Sequence, residues 1–266
     1  MAVRLLEEVS DLERLSLIDM SNTRIETVYG SFGCWAKYYY TYIVKEPRQF
    51  GAAATLGNIV HSTLEERLQP NEKFTLEQLM EEFEAQVPKW DPDDQVGQEL
   101  IEVGKQILTE FADRHQDDEI PIHSKEMPFS IVVGSALING FIDRVDEYDD
   151  RIVITDYKTG KHEVSKKGAP KNLQLGIYAL AADKIFGGKP VTANLYYLRS
   201  GAQKGHTFSR SDLDEVESRL LEITAEIVNK RHFHTTSNKR ICSWCDFNNG
   251  VCSTGTARAS RVEIRR

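Results

Sequence analysis

Apolar residues in the first 120 positions recur at helical spacing. TLGNIVHSTLEERL places Leu56, Val60, Leu64 and Leu68 four apart, and FTLEQLMEEFEAQV and QELIEVGKQILTEFADRH keep a similar period. KWDPDDQ, with Pro92, separates the last two of these helices. The rhythm changes near Pro121. EMPFSIVVG, ALINGFIDRVDEY and RIVITDYK read as strands, with turns at Gly134-Ser135 and Asp149-Asp150. NLQLGIYALAADKIFG then predicts a helix closed by Gly187, VTANLYYLR a strand, and SDLDEVESRLLEITAEIVNKR a helix with the stripe Val216, Leu220, Ile223 and Ile227. Three successive strands, a crossover helix and a further strand predict an α/β fold, a mixed central β-sheet flanked by helices.

Composition narrows the class. A chain of 266 residues, 40% of them hydrophobic, can bury a sizeable core. Its apolar runs are too short to span a bilayer, and MAVRLLEEVSDLERLSLIDM carries acids where a secretory signal would be basic and apolar, so an intracellular location with no membrane partner is expected. The net charge of −8 argues against nonspecific wrapping of nucleic acid, which needs a cationic surplus. Locally the sign reverses. Asp156 to Lys171 holds five lysines (158, 161, 166, 167, 171) against Asp156 and Glu163, and Thr254 to Arg266 holds Arg258, Arg261, Arg265 and Arg266 against Glu263, each a surplus of three. Such runs are either solvated faces or phosphate contacts.

The chemistry concentrates at the end of RIVITDYK. Residues two apart on a strand face the same side, so Asp156 and Lys158 share a face while Tyr157 points away. In GFIDRVD, the short EYDD turn can bring Asp143 beside Asp156. Two adjacent carboxylates repel unless a cation lies between them, and Mg²⁺ or Mn²⁺ suits oxygen donors. A lysine beside such a metal supplies the charge stabilisation that phosphodiester hydrolysis needs. An Asp-x-Lys at a strand end also occurs as a plain surface ion pair.

The run GFID (140 to 143), DYK (156 to 158) and QLGIY (174 to 178) resembles the PD-(D/E)xK nucleases of the RecB type, over nearly the whole chain after residue 21. The resemblance implies a restriction-endonuclease-like core. It also implies that His61, in a G-x-x-x-H context with Gly57, binds metal with Asp143, Asp156 and the Tyr157 carbonyl, and that Lys158 is the catalytic lysine. Gln174 and Tyr178, four apart on one helix face, match a Q-x-x-x-Y motif expected to hold the lysine or the DNA strand. Glu126, opening the first strand, resembles an accessory acid of some relatives or is simply exposed.

Three of the four cysteines lie in CSWCDFNNGVC, as Cys242, Cys245 and Cys252, and the fourth is Cys34. That spacing reads as metal or cluster ligation. Thiolates alone do not choose between Zn²⁺ and an iron-sulfur cluster. GSFGCWAKYYYTY resembles the segment opening the iron-sulfur subgroup of RecB-type nucleases, found in helicase-nuclease complexes and CRISPR spacer acquisition, where one early cysteine joins three late ones around a [4Fe-4S] cluster. Trp35 stands where that subgroup often has proline.

The expected organisation is an N-terminal segment (1–20), a helical region with Cys34 and His61 (21–120), the nuclease core (121–231) and a cysteine-cluster lobe (232–266). The expected activity is metal-dependent DNA hydrolysis. The resemblance favours an exonuclease on single strands or ends, serving a helicase, recombination or CRISPR-acquisition partner. No G-x-x-x-x-G-K-[ST] motor motif is present. A noncatalytic DNA-end-binding module, a structure-specific endonuclease and a metal-dependent RNase are the rival readings.

Overall fold

The computed structural model describes residues 3–30, 32–47, 52–90, 95–243, 245–248 and 250–252. The break expected at Asp91 to Asp94 and the basic tail from Thr254 to Arg266 lie outside them. Among the described residues there are seven strands, β1 (Arg4–Leu5), β2 (Ile18–Ser21), β3 (Ile122–Val133), β4 (Ala136–Glu147), β5 (Ile152–Lys158), β6 (Val191–Tyr197) and β7 (Ala202–Phe208). They form one mixed sheet in the order β1-β3-β4-β5-β6-β7, with β2 pairing off β4. The helices are α1 (Asp11–Arg14), α2 (Asn22–Tyr29), α3 (Trp35–Tyr38), α4 (Ala52–Arg67), α5 (Leu76–Gln86), α6 (Gln95–His115), α7 (Leu173–Ile185), α8 (Arg210–Asn229) and α9 (Lys239–Ser243).

Contacts divide the chain into two units, and β3, β4 and α8 contribute residues to both. One comprises Phe50–Phe129 and Phe141–Val216. Its helices α4, α5 and α6 pack together, because the four-residue stripe of α4 gives one apolar face. Leu56, Val60 and Leu64 meet Phe83, Leu108 and Phe111 there, over Tyr157 and Tyr196 of the sheet. β5 is buried on both faces along most of its length, as a central strand covered by helices must be. It pairs antiparallel with β4 and parallel with β6, which places the crossover helix α7 between them in sequence. Asn172 caps α7 by accepting from the Leu175 N–H, and Gly176 allows close approach to α8, since a Cβ there would lie 2.8 Å from Val216.

The other unit comprises Met1–Gln49, Ser130–Gly140 and Glu217–Arg266. β1 pairs antiparallel with β3 at Leu5 and Ile131, and β2 runs parallel to β4 from Ile18 to Ser21. An aromatic array follows α2, in which Trp35 meets Tyr29, Tyr38 and Phe233 edge-on and Tyr38 stacks parallel to Phe233.

Three strands escape the hydrophobic pattern. β1 is two residues long, β2 reads IDMS, and β7 reads AQKGHTF with alternate residues exposed. Short or polar edge strands owe their extended form to a neighbour's backbone rather than to their own side chains.

Candidate active site

The β4–β5 register pairs Arg144 with Thr155, which carries Asp143 opposite Asp156 one step on. Asp143 accepts a 2.7 Å hydrogen bond from the Tyr157 backbone N–H, locking the two strand ends together. Lys158 and Asp156 face one side, with Nζ 2.6 Å from Oδ2. The pair is not a surface ion pair, because the Asp156 side chain is 3% exposed. Lys158 also donates to Gln174 Oε1 at 3.0 Å. Gln174 Nε2 donates to Asp156 Oδ1 at 2.8 Å and to the Tyr178 hydroxyl at 2.9 Å, and that hydroxyl donates to Asp156 Oδ1 at 3.2 Å. Gln174 and Tyr178 reach the same carboxylate because four residues return a helix to one face.

His61 sits beside the buried Val60/Leu64 stripe of α4, with Nδ1 3.4 Å from Asp143 Oδ2. Burial lowers its pKa against the pull of Asp156, so the imidazole stays neutral and can offer a lone pair. Glu126 lies within β3 at φ +44°, a left-handed conformation that costs of order 1–3 kcal/mol for a non-glycine residue. Its carboxylate meets His61 and Asp143, and the three can present ligand atoms all within 4.8 Å of one another. Burial and the Asp143 charge push Glu126 up to about 7. Burial also raises Asp143, with Asp156 adding to it. Carboxylates crowded until they hold their protons are the electrostatic signature of a site completed by a cation, and the imidazole-and-oxygen donor set fits Mg²⁺ or Mn²⁺.

Two neighbours went unread in the sequence. Glu65 lines the cleft with His61, Glu126 and Asp143, and its signal was available, one helical turn after His61. Arg144 donates to the Tyr157 hydroxyl at 2.8 Å and pairs with buried Asp146 at 3.0 Å. Nothing in the spacing distinguished it from any strand arginine.

The model of the PD-(D/E)XK nuclease superfamily matches residues 19–253. This chain belongs to that superfamily. The mixed sheet flanked by helices is the fold of this nuclease superfamily. The chain is similar to a crystal structure described as a "Putative exonuclease" from Eubacterium rectale, with TM-score 0.50, 13% identity and 85% of each chain covered. It is also matched to SSO0001, with TM-score 0.33, 14% identity, 79% of this chain and 96% of that one. A third match is VC1899 from Vibrio cholerae, with TM-score 0.25, 9% identity, 79% of this chain and 57% of that one. No curated protein matches. Among the described residues no helix is long and apolar enough to cross a membrane.

The four cysteines lie in the other unit. All four line one small cavity with Tyr40 and Phe247, and Cys252 is buried. Burial and the neighbouring thiols raise Cys242 and Cys252, so deprotonation there calls for a compensating positive charge. Among the described residues no three of these sulfurs come within 4.8 Å of one another.

Proposed function

We propose that this nuclease is a Mg²⁺- or Mn²⁺-dependent deoxyribonuclease acting as an exonuclease on single-stranded DNA or DNA ends. The observation that carries the reading is the closed set of Lys158, Asp156, Gln174 and Tyr178 with Asp143 across the strand pair. His61, Asp143, Asp156 and the Tyr157 carbonyl hold the metal, and Glu126 joins them. The bound metal supplies polarisation of the phosphoryl oxygen and a lowered pKa for attacking water. Lys158 places its ammonium where negative charge develops, and Gln174 fixes that ammonium through its amide oxygen. Tyr178 and Gln174 together occupy Asp156 Oδ1, leaving its other oxygen to the lysine side. Exposed Lys166 and Lys167 suit the approach of a phosphate backbone. A noncatalytic role would not need this whole constellation.

Cys34, Cys242, Cys245 and Cys252 hold a structural [4Fe-4S] cluster in this reading. The one-plus-three split of the thiols along the chain, around one cavity, is unusual for zinc and supports the cluster. The preference for ends rests on the motif resemblance, and strand separation falls to a helicase, recombination or CRISPR-acquisition partner.

Incubating end-labelled linear and circular single-stranded DNA with the protein and Mg²⁺ or Mn²⁺ tests the activity. Loss of linear DNA with intact circles is expected. Equal cutting of circles would replace the exonuclease reading with an endonuclease, and no cutting of either would overturn it.

A further inference from the structure

A second cavity, of about 180 Å³, opens in the unit that carries the cysteines. Its wall combines Ile18, Ile43 and Ile227 with Tyr38 and Phe233, and Arg24 and Arg231 stand in it. Among the described residues no carboxylate lines it. That is unusual on a chain of net charge −8.

Among the described residues neither guanidinium is paired with a carboxylate. Arg24 donates Nε–H to the Tyr38 hydroxyl at 2.8 Å and Nη1–H to the Asp19 carbonyl at 2.6 Å, and stands 5.3 Å from the Tyr38 ring centre and 5.2 Å from that of Tyr42. Arg231 is exposed and donates to the Val228 and Lys230 carbonyls. Among the described residues, each of these hydrogen bonds ends on a neutral oxygen. Lys230 adds a third cation, shared between Glu226 and the face of Trp35 at 3.9 Å. A planar, weakly hydrated guanidinium held by neutral partners keeps its charge for an anion, and its fork matches phosphate. An aliphatic and aromatic wall beside it suits a flat ring.

We infer that this cavity seats one nucleotide of a single-stranded DNA, its base against Ile43 and Phe233 and its phosphate on Arg24 and Arg231. The inference rests on the nuclease reading and adds to it a strand-holding site built from residues outside the cleavage chemistry. A second copy presenting this same face would set cation against cation. An acidic peptide would satisfy the arginines but not favour the aromatic wall.

Binding is measured by fluorescence anisotropy of a labelled 12-nucleotide oligothymidylate with metal chelated, so that no cleavage occurs. Arg231→Gln should weaken binding about threefold. Arg24→Gln with Arg231→Gln should weaken it about tenfold and flatten the slope of log affinity against log salt by about 1.4, the value for two strand phosphates. Ile43→Ser should weaken binding with the slope unchanged, since it removes wall and no charge. Arg24 also ties Tyr38 to Asp19, so exposed Arg231 is the variant that leaves the fold alone. Wild-type affinity and slope in Arg231→Gln overturn the seat, as does displacement of the oligonucleotide by polyglutamate at equal charge. An equal loss of affinity for a blunt duplex overturns the single-strand assignment. Wild-type protein that cuts no DNA with Mg²⁺ or Mn²⁺ refutes the nuclease reading. Cutting by the wild type together with unaltered oligonucleotide binding in the arginine variants refutes the seat alone.

Discussion

The two units solve the problem of placing polar groups in opposite ways. In the unit with the acidic cleft, polar side chains at the strand ends are held by neighbours, Lys158 by Asp156 and Gln174, Asp143 by the Tyr157 backbone, Tyr157 by Arg144. Beneath lies a broad apolar core from α4 to α6, including Phe83, Leu108 and Phe111. Among the described residues the buried cluster around the thiols is Ala36, Phe247 and Cys252, with Cys34, Tyr40 and Cys245 against it. The first arrangement is built by packing and hydrogen bonds before any ligand arrives. The second has little buried apolar surface to offset the entropy of ordering its loops, and in the proposed reading a bound metal group would contribute much of the ordering free energy.

The contrast breaks most visibly in catalysis. Lys158→Ala should lower the cleavage rate by about 10² to 10³ while circular dichroism and melting stay near wild type, because the fold's core does not depend on the ammonium. A Lys158→Ala protein that cuts at the wild-type rate would show the network to be structural.

The thiol unit should respond the other way. Cys34→Ala is expected to remove the visible absorbance of anaerobically purified protein and to speed proteolysis in the stretch from Arg231 to Cys252 by about tenfold or more, with cleavage partly retained. Unchanged proteolysis would mean that Cys34 fastens nothing, and a colourless protein with one tightly bound zinc would replace the cluster.

The smallest effect sharpens the electrostatic half. With Glu126 pushed up to about 7, metal binding must displace its proton, so Mn²⁺ affinity should fall about tenfold from pH 8 to pH 6, with proton release detectable by calorimetry in buffers of different ionisation heat. In metal-free protein the sign reverses. A raised carboxylate binds more protons folded than unfolded, so it costs stability as pH rises from about 4.5 to about 7. A pH-independent Mn²⁺ affinity would remove Glu126 from the site.

Much of this was legible in the chain. The four-residue stripe of α4, the buried run of β5 and the breaks at Gly134-Ser135 and Asp149-Asp150 dictate their elements, because period and turn chemistry act locally. The two-residue alternation of Asp156 and Lys158 and the four-residue spacing of Gln174 and Tyr178 follow from strand and helix geometry alone. Only the tertiary structure set Glu126 at φ +44° within a strand and turned Glu65 into the same cleft. It alone also enlisted β1, β2 and β7, whose side chains carry little strand signal of their own. The physical reason is common to all of these. A backbone strain, a carboxylate's charge partners and an edge strand's hydrogen bonds are each decided by residues distant in sequence, and no local pattern encodes them.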